Sequence, residues 1–528
     1  MSRELTESPH RVAERIEGAI EQLENEFHRA YWDSQVRVSP DTERRRAELE
    51  LELRTVKGDP ADLRAVESAL ADTIHDPVLK RRLQVLRRSL LGNQMDEDRR
   101  AELVDLQSSV ESDFAAFRPV VGGRRVSDNE IEEVLRTSND ETERRAVWEA
   151  SKAVGASVAD RVRELARIRN AAARDLGFPD YYNLSLELQE LDEEWLYTLL
   201  EEVERVTDEP FRRWKSALDA RLAERFGTTD LYPWHYADPF FQQLPPDGRV
   251  SLDGLLRDRD AADLARATFA RWGIDLTGVL ERSDLYPREG KSQHAFCLDV
   301  DRSGRDVRIL ANVVPGERWV EVMLHESGHA AYDLGIDRRL PYSLRRPAHI
   351  FVTEAIAILS GRLLRDAVWL REILGAPEGE IAVVEDALGA ANRAQMVLFA
   401  RWALVMIHFE RDLYLDPDAD LDDRWWELVE RFQLVRRPND RHAPDWAAKI
   451  HVAVAPVYYQ NYLLGEILAS QLAATCIAEY GGLVGVREAG GLLADRVFHP
   501  GALLRWDSLV EGATGGPLSA AEFGRELV

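Results

Sequence analysis

The segment WVEVMLHESGHAAYDLG, residues 319–335, has apolar residues three and four positions apart, which is the spacing of a helix. Pro315-Gly316 before it and the glycine at its end are the usual start and stop signals of a helix. His325 and His329 lie four residues apart and so share one face of the predicted helix, with Glu326 beside them. The segment therefore predicts a helix on which two imidazoles can reach one metal ion.

A further carboxylate follows 25 residues after His329, in the apolar run HIFVTEAIAILSGRL, residues 349–363. Glu354 is the only acidic residue of that run, and a buried charge needs a strong partner such as a metal. Two histidines and one glutamate form the usual donor set of a catalytic zinc ion, which leaves one position open for water. We therefore predict one zinc ion bound by His325, His329 and Glu354, with Glu326 as the base that takes a proton from the water.

In these residues the chain resembles the angiotensin-converting enzyme-like peptidases, a group related to thimet oligopeptidase and oligopeptidase F. The resemblance covers most of the chain and includes SQHAFCLDV (292–300), DRWWELVERFQLV (423–435) and AKIHVAVAPVYYQNYLLGEILASQL (448–472). It implies a mainly α fold, a large helical ellipsoid with a deep central groove and a small β-hairpin beside the zinc helix. It also implies hydrolysis of peptide bonds in short, unfolded peptides.

The resemblance implies substrate contacts on a strand before the zinc helix. In such enzymes this strand pairs with the extended peptide, and a His-Ala step contributes to the subsites. His294 and Ala295 stand in the matching place. An exposed strand edge can recognise any peptide through its main chain, so the assignment is physically reasonable. Without the resemblance, His294 is equally consistent with the surface of a hairpin.

Relatives also have a lysine and a histidine two residues apart, followed by two tyrosines three residues apart. Lys449, His451, Tyr459 and Tyr462 fit this pattern. We expect Tyr462, supported by His451, to stabilise the oxyanion that forms during hydrolysis. One extra residue lies between the histidine and the tyrosines, so Tyr458 competes with Tyr459 for its place in the pattern.

The resemblance suggests three groups for binding the terminal carboxylate of a substrate, namely Gln243, Lys449 and Tyr459. We therefore expect an enzyme similar to a dipeptidyl carboxypeptidase. The alternative is an oligoendopeptidase of the thimet or oligopeptidase F type. A non-catalytic peptide-binding relative is a third possibility, although such proteins usually lose a zinc ligand or the catalytic glutamate, and neither is lost here.

Three positions depart from the pattern of the family. Asn461 and Val429 stand where arginines are expected, the first of them linked to chloride dependence, so we expect no chloride activation. Ile358 replaces a carboxylate that commonly orients a zinc ligand, and Asp333 is the candidate replacement.

Hydrophobic periodicity predicts the remaining architecture. Amphipathic helices run from residue 8 to about 225, and this half is predicted to be entirely helical. Residues 228–250 are rich in proline and aromatic residues and predict an irregular connection. Apolar runs at 295–300 and 307–313, joined by DRSGRD, predict a β-hairpin. We expect a single peptidase unit over 1–528, with an N-terminal helical lid region (1–120), a helical groove wall (121–290) and a zinc-binding catalytic region (291–528).

Composition excludes several classes of protein. A formal charge of -26 would repel nucleic acid, whose binding depends on lysine and arginine. No run approaches the roughly 18 apolar residues of a membrane span, and the N-terminus lacks the features of a secretory signal. Two cysteines are too few for a disulfide framework. We expect a cytoplasmic protein that acts on short peptides without membrane or nucleic acid, and no pattern indicates its oligomeric state.

Overall fold

The computed structural model describes residues 7–245 and 251–528. The described residues form a mainly α fold with two sheets of two strands each, which confirms the predicted fold class. No helix in these two ranges is both long enough and apolar enough to cross a membrane.

The regular elements are given in chain order. The helices are Pro9–Val36 (α1), Pro40–Lys57 (α2), Pro60–Ala71 (α3), Pro77–Leu91 (α4), Glu97–Ala116 (α5), Asp128–Thr137 (α6), Glu141–Asp175 (α7), Tyr181–Leu188 (α8), Glu193–Phe226 (α9), Asp253–Leu256 (α10), Ala261–Arg271 (α11), Thr277–Arg282 (α12), Glu317–Gly335 (α13), Ile350–Arg362 (α14), Ala367–Trp369 (α15), Glu378–Leu415 (α16), Leu421–Gln433 (α17), His451–Val454 (α18), Tyr459–Tyr480 (α19), Arg487–Leu492 (α20), Trp506–Thr514 (α21) and Ala521–Glu526 (α22). The strands are Val120–Val121 (β1), Arg124–Arg125 (β2), Phe296–Asp299 (β3) and Val307–Leu310 (β4). Single turns of 3₁₀ helix occur at Pro233–His235, Tyr342–Leu344, Leu363–Arg365, Asp445–Ala448 and Gly501–Leu503, and π-helical turns at Leu370–Leu374 and Leu493–Phe498.

The first four helices begin with the same local chemistry. Each has proline in its first turn, where the missing N–H would have no partner within the helix. Each is preceded by a serine or aspartate whose side chain accepts a backbone N–H of the first turn, at Ser8, Ser39, Asp59 and Asp76. Such caps favour the helix by about 1 kcal/mol each, so the sequence itself fixes where these helices start.

The prediction that residues 8–225 are entirely helical is wrong at one place. Val120 to Arg125 form the hairpin β1–β2, whose turn consists of Gly122 and Gly123 with φ of 57° and 79°. Glycine adopts such angles without steric cost, so a turn forms between two helices. The irregular connection predicted for 228–250 contains one 3₁₀ turn in its described part, and residues 246–250 lie outside the described residues.

The chain divides into two compact units, and the first comprises the described residues of 7–94, 251–389 and 464–522. It contains the predicted β-hairpin, in which β3 pairs antiparallel with β4 from Phe296 opposite Leu310 to Asp299 opposite Val307. Helices α13 and α14 pack directly against each other. A Cβ atom on Gly328 would lie 2.7 Å from the Cα atom of Ala357, so glycine allows the two backbones to touch.

The second unit comprises 95–245, 390–463 and 523–528. Large aromatic side chains fill its interior, and Trp148, Trp402 and Trp446 are all almost completely buried. Helix α7 passes close to the segment before α18, because a Cβ atom on Gly155 would lie 2.3 Å from the carbonyl oxygen of Pro444. The predicted lid, wall and catalytic regions stay predictions.

Candidate active site

Three side chains of the first unit converge at the contact between α13 and α14. Nε2 of His325 lies 3.7 Å from Oε2 of Glu354, and Nε2 of His329 lies 4.0 Å from the same oxygen. The three donor atoms all lie within 4.8 Å of one another. Because the two histidines are one turn apart on α13, their rings stand side by side with centroids 5.1 Å apart.

The spacing of these donor atoms fits a metal ion. The distances from the two imidazoles to Oε2 of Glu354 are too long for hydrogen bonds, although the three donor atoms lie close together. Donors around a tetrahedral zinc ion stand roughly 3.3 to 3.6 Å apart, because each bond is about 2.0 to 2.2 Å long. A small inward movement of the side chains would therefore bring them to the distances of zinc ligands.

A hydroxyl group orients one of the two imidazoles. Nδ1 of His329 lies 2.7 Å from Oγ1 of Thr353, the residue immediately before Glu354 on α14. A ring whose Nε2 faces a metal carries its proton on Nδ1, so His329 would donate this hydrogen bond. Asp333, the candidate named from the sequence, makes no such contact with His329 among the described residues.

Burial keeps both imidazoles neutral. Loss of water around the rings lowers the pKa of His325 to about 4 and that of His329 to about 3. Burial, with a smaller contribution from Glu466, raises the pKa of Glu354 to about 7. Neutral imidazoles are ready to bind a metal, and a cation between them would stabilise the charged form of the glutamate.

Glu326 belongs to α13 and lies next to the β3–β4 hairpin. Its side chain is buried, and burial followed by the charge of Glu354 raises its pKa to about 8. A hydrogen bond with the backbone of Cys297 in β3 acts in the opposite direction. The carboxyl group that the sequence marks as the base thus lies beside the strand that precedes the zinc helix.

A cavity of about 410 Å³ opens onto the cluster within the first unit. Residues 295–299 form one side of it, and the cluster itself forms another. Ala295 therefore lies at the cavity, as expected for a substrate contact. His294 does not line the cavity and is exposed, and its backbone N–H faces the hydroxyl of Ser292.

In the second unit, a glutamine holds the predicted carboxylate-binding lysine. Nζ of Lys449 donates to Oε1 of Gln242 at 2.9 Å and lies over the rings of Phe240 and Trp402. Gln243 is exposed instead, and its backbone N–H donates to the buried carboxylate of Asp238. Lys449 therefore contacts the glutamine immediately before Gln243, and the role of Gln243 in binding the substrate's carboxylate stays a prediction.

The histidine and tyrosines of the second unit form one aromatic group. The ring centroids of His451 and Tyr459 are 5.5 Å apart, and Tyr462 lies 5.1 Å from Tyr458 and 5.7 Å from Tyr459. The hydroxyl of Tyr459 accepts a hydrogen bond from the indole of Trp402. Tyr459 is buried, whereas Tyr458 and Tyr462 are half-buried.

Family comparisons agree with this chemistry. The family model described as angiotensin-converting enzyme, peptidase family M2, matches residues 5–211, and the model described as peptidase family M3 matches residues 280–528. Both families consist of zinc-dependent peptidases. The chain is a zinc metallopeptidase of the gluzincin type. No curated protein matches this peptidase over its sequence.

The residues of the peptidase that match the M3 model include the β3–β4 hairpin, both clustered histidines and Glu354. The three clustered donors and Glu326 were predicted from the sequence to lie together, whereas Thr353 and Gln242 were not predicted. A hydroxyl directly before a metal-binding glutamate was visible in the sequence as a signal for Thr353. Nothing in the irregular stretch around Gln242 distinguished it from the neighbouring glutamine.

Proposed function

We propose that the peptidase removes dipeptides from the C-terminal ends of short peptides, with one zinc ion bound by His325, His329 and Glu354. The observation that carries hydrolysis is the convergence of these three donors beside the buried Glu326. Among the described residues, no other group of three histidine, cysteine or acidic side chains converges in this way. Three protein donors leave a coordination position for a water molecule, as in catalytic zinc sites.

Glu326 acts as the proton carrier in this proposal. When bound, zinc would supply Lewis-acid activation of a water molecule and of the scissile carbonyl. Glu326 follows His325 directly on α13, so its carboxylate can reach a water molecule beside the cluster and accept its proton. The same group can then pass the proton to the leaving amine.

The hairpin supplies an edge for the peptide. β4 occupies one edge of β3, and residues 295–299 line the cavity beside Glu326. An extended peptide can pair with the other edge through its main chain, whatever its side chains. Ala295 is the contact that this arrangement supports, and His294 next to it stays a candidate from the resemblance.

Tyr462 is the proposed donor to the oxyanion, with His451 in support. The resemblance carries this assignment, and Tyr462 is half-buried in the structure. Burial, with a smaller contribution from Lys449, lowers the pKa of His451 to about 4, so its ring is neutral near pH 7. Its buried Nδ1 has no hydrogen-bond partner in the described part of the chain. Tyr458 is the alternative donor.

Lys449 supports recognition of a terminal carboxylate. The lysine forms no ion pair with a described carboxylate, and its side chain contacts Gln242 and two aromatic rings. Burial lowers its pKa to about 8. A half-buried cation that forms no ion pair is stabilised by an incoming anion. We therefore propose Lys449 and Gln242, with Tyr459, as the group that binds the substrate's C-terminal carboxylate.

An oligoendopeptidase is the second candidate. The M3 family model, which matches the zinc-binding half of the chain, favours it. The two candidates differ in their need for a free C-terminus, because internal cleavage does not depend on a terminal carboxylate.

Product analysis tests the proposal. Purified protein is assayed for zinc by elemental analysis and incubated with matched peptides that end in a free acid or an amide, and the products are identified by mass spectrometry. We expect one zinc per chain and stepwise loss of dipeptides from the free acids only. Internal cuts in the amides would establish the oligoendopeptidase, and zinc-loaded protein that cuts nothing would indicate a peptide-binding relative.

A further inference from the structure

A residue two positions before the start of α19 has an unfavourable backbone conformation. Val457 has a φ of 52°, in the left-handed region. Six non-glycine residues have positive φ in the described part of the chain, and Val457 is the only β-branched one. A branched Cβ crowds the backbone in this region, so the conformation persists only where surrounding contacts hold it.

Three side chains hold the backbone of Val457. Its N–H donates to Oε1 of Glu410 at 2.8 Å, and Glu410 belongs to α16. Its carbonyl oxygen accepts from the side-chain amides of Gln189, at 3.1 Å, and Gln460, at 2.6 Å. Val457 and Glu410 are both about 1% exposed, so no water replaces these bonds. Side chains therefore satisfy both backbone polar groups of the strained residue, its N–H and its carbonyl oxygen.

The same contacts fix the first turn of α19. Oε1 of Gln189 also accepts from the amides of Gln460 and of Asn461, at 3.1 and 2.8 Å. Asn461 is followed by Tyr462, and Tyr459 opens the helix. A change in the Val457 backbone would therefore reorient the turn that carries both tyrosines.

Stability alone does not account for Glu410. Its carboxyl group forms no ion pair among the described residues, and its Oε2 has no hydrogen-bond partner there. Burial raises its pKa to about 8. The charge of Arg169 acts on Glu410 in the opposite direction, but Arg169 donates its hydrogen bonds elsewhere, among others to the hydroxyl of Tyr414 and the carbonyl of Ala453. A buried acid with one neutral hydrogen bond is unfavourable, which is typical of a position kept for function.

We propose that Glu410 is a positioning residue that holds Val457 in the left-handed conformation and so orients Tyr459 and Tyr462 for the reaction. The inference rests on the proposed function for the part that concerns catalysis. It predicts that the acceptor at position 410 is needed only while a β-branched residue occupies position 457. Glycine adopts the left-handed conformation without strain and should remove that need.

Four variants test the inference: Glu410→Gln, Glu410→Leu, Val457→Gly and the double variant Glu410→Leu/Val457→Gly. Glu410→Gln keeps an acceptor oxygen and should retain kcat. Glu410→Leu should lower kcat about 10- to 100-fold with little change in KM, because misplaced groups impair the transition state more than binding. The double variant should recover most of the kcat of Val457→Gly. Leu413→Ala, one turn further on α16 and buried, is the control that should lower Tm without lowering kcat.

Hydrogen exchange of residues 455–463 supplies a readout that is independent of activity. Exchange should increase in Glu410→Leu and stay low in Glu410→Gln. A double variant as impaired as Glu410→Leu, or Glu410→Leu with the kcat and exchange of the wild type, would overturn the inference. Wild-type protein that cuts no peptide would contradict the proposed function, and exchange would still decide whether Glu410 holds this segment.

Discussion

The proposed zinc ligands and the lysine-to-tyrosine segment are held in place by different means. In the first unit, His325 and His329 stand one turn apart on α13, and Gly328 lets α14 bring Glu354 against them. In the second unit, residues 445–462 pass through a 3₁₀ turn, a single turn of helix and a left-handed residue. Regular helix geometry defines the first group, and hydrogen bonds from distant side chains define the second.

This difference has consequences for how each group tolerates change. A helix fixes its side chains through many backbone bonds, so loss of one neighbouring contact leaves the ligand positions nearly intact. Residues 449–462 rely on a few side-chain hydrogen bonds, such as the one from Lys449 to Gln242 and the one from the Val457 N–H to Glu410. We therefore expect remote substitutions to disturb the second group more than the first.

Loss of a ligand from the zinc cluster should have the largest effect. Glu354→Ala removes one of three protein donors, so bound zinc should fall well below one per chain and activity should be abolished. Elemental analysis after dialysis measures the occupancy. Stoichiometric zinc in this variant would mean that another carboxylate is the third ligand. The packing of α13 against α14 would then not define the metal site.

Glu326→Gln separates chemistry from metal binding in the same helix. The amide preserves shape but cannot accept the proton, so kcat should fall about 10² to 10⁴-fold while zinc stays bound. Steady-state kinetics together with zinc analysis give both values. Activity within tenfold of the wild type would exclude Glu326 as the general base.

Tyr462→Phe measures the main contribution expected from the second group. Deleting one oxyanion donor typically costs about 10² to 10³-fold in kcat, or about 2.7 to 4 kcal/mol, with KM almost unchanged. Tyr459→Phe should instead raise KM for free-acid peptides. A large kcat loss in Tyr458→Phe with normal Tyr462→Phe would show that the extra residue lies on the other side of the tyrosine pair.

The same contrast explains how much could be predicted from sequence. Helix periodicity is strict, so the spacing of the two histidines and the apolar run around Glu354 were enough to place their side chains. An irregular segment has no period, so the sequence could not distinguish Gln242, which contacts Lys449, from the neighbouring Gln243. Valine gives no signal of a left-handed conformation, which glycine or asparagine would have given, so the role of Glu410 could not be foreseen.

Thr353→Val tests whether the zinc cluster also depends on a single hydrogen bond. Valine keeps the shape of threonine but leaves Nδ1 of His329 without its partner. Loss of such an orienting group typically weakens metal binding about 10- to 100-fold, which competition with a chelator would measure. Unchanged affinity would show that helix packing alone holds the imidazole. Asp333→Asn is the matched control and should leave zinc affinity unchanged.

The smallest expected effect distinguishes two adjacent residues of the irregular segment. Gln242→Leu removes the oxygen that Lys449 contacts, while Gln243→Leu changes an exposed side chain whose backbone alone is bonded. If Lys449 binds the terminal carboxylate, its ammonium group becomes less well positioned in the first variant, and KM for free-acid peptides should rise about tenfold, equivalent to about 1.4 kcal/mol. Amidated peptides should show no such difference, and Gln243→Leu should behave like the wild type with both. The reverse result, a raised KM in Gln243→Leu only, would restore the residue expected from the sequence. Equal KM values in all three proteins would instead mean that the lysine is held by its aromatic neighbours, and that this part of the second group is as robust as the zinc helix.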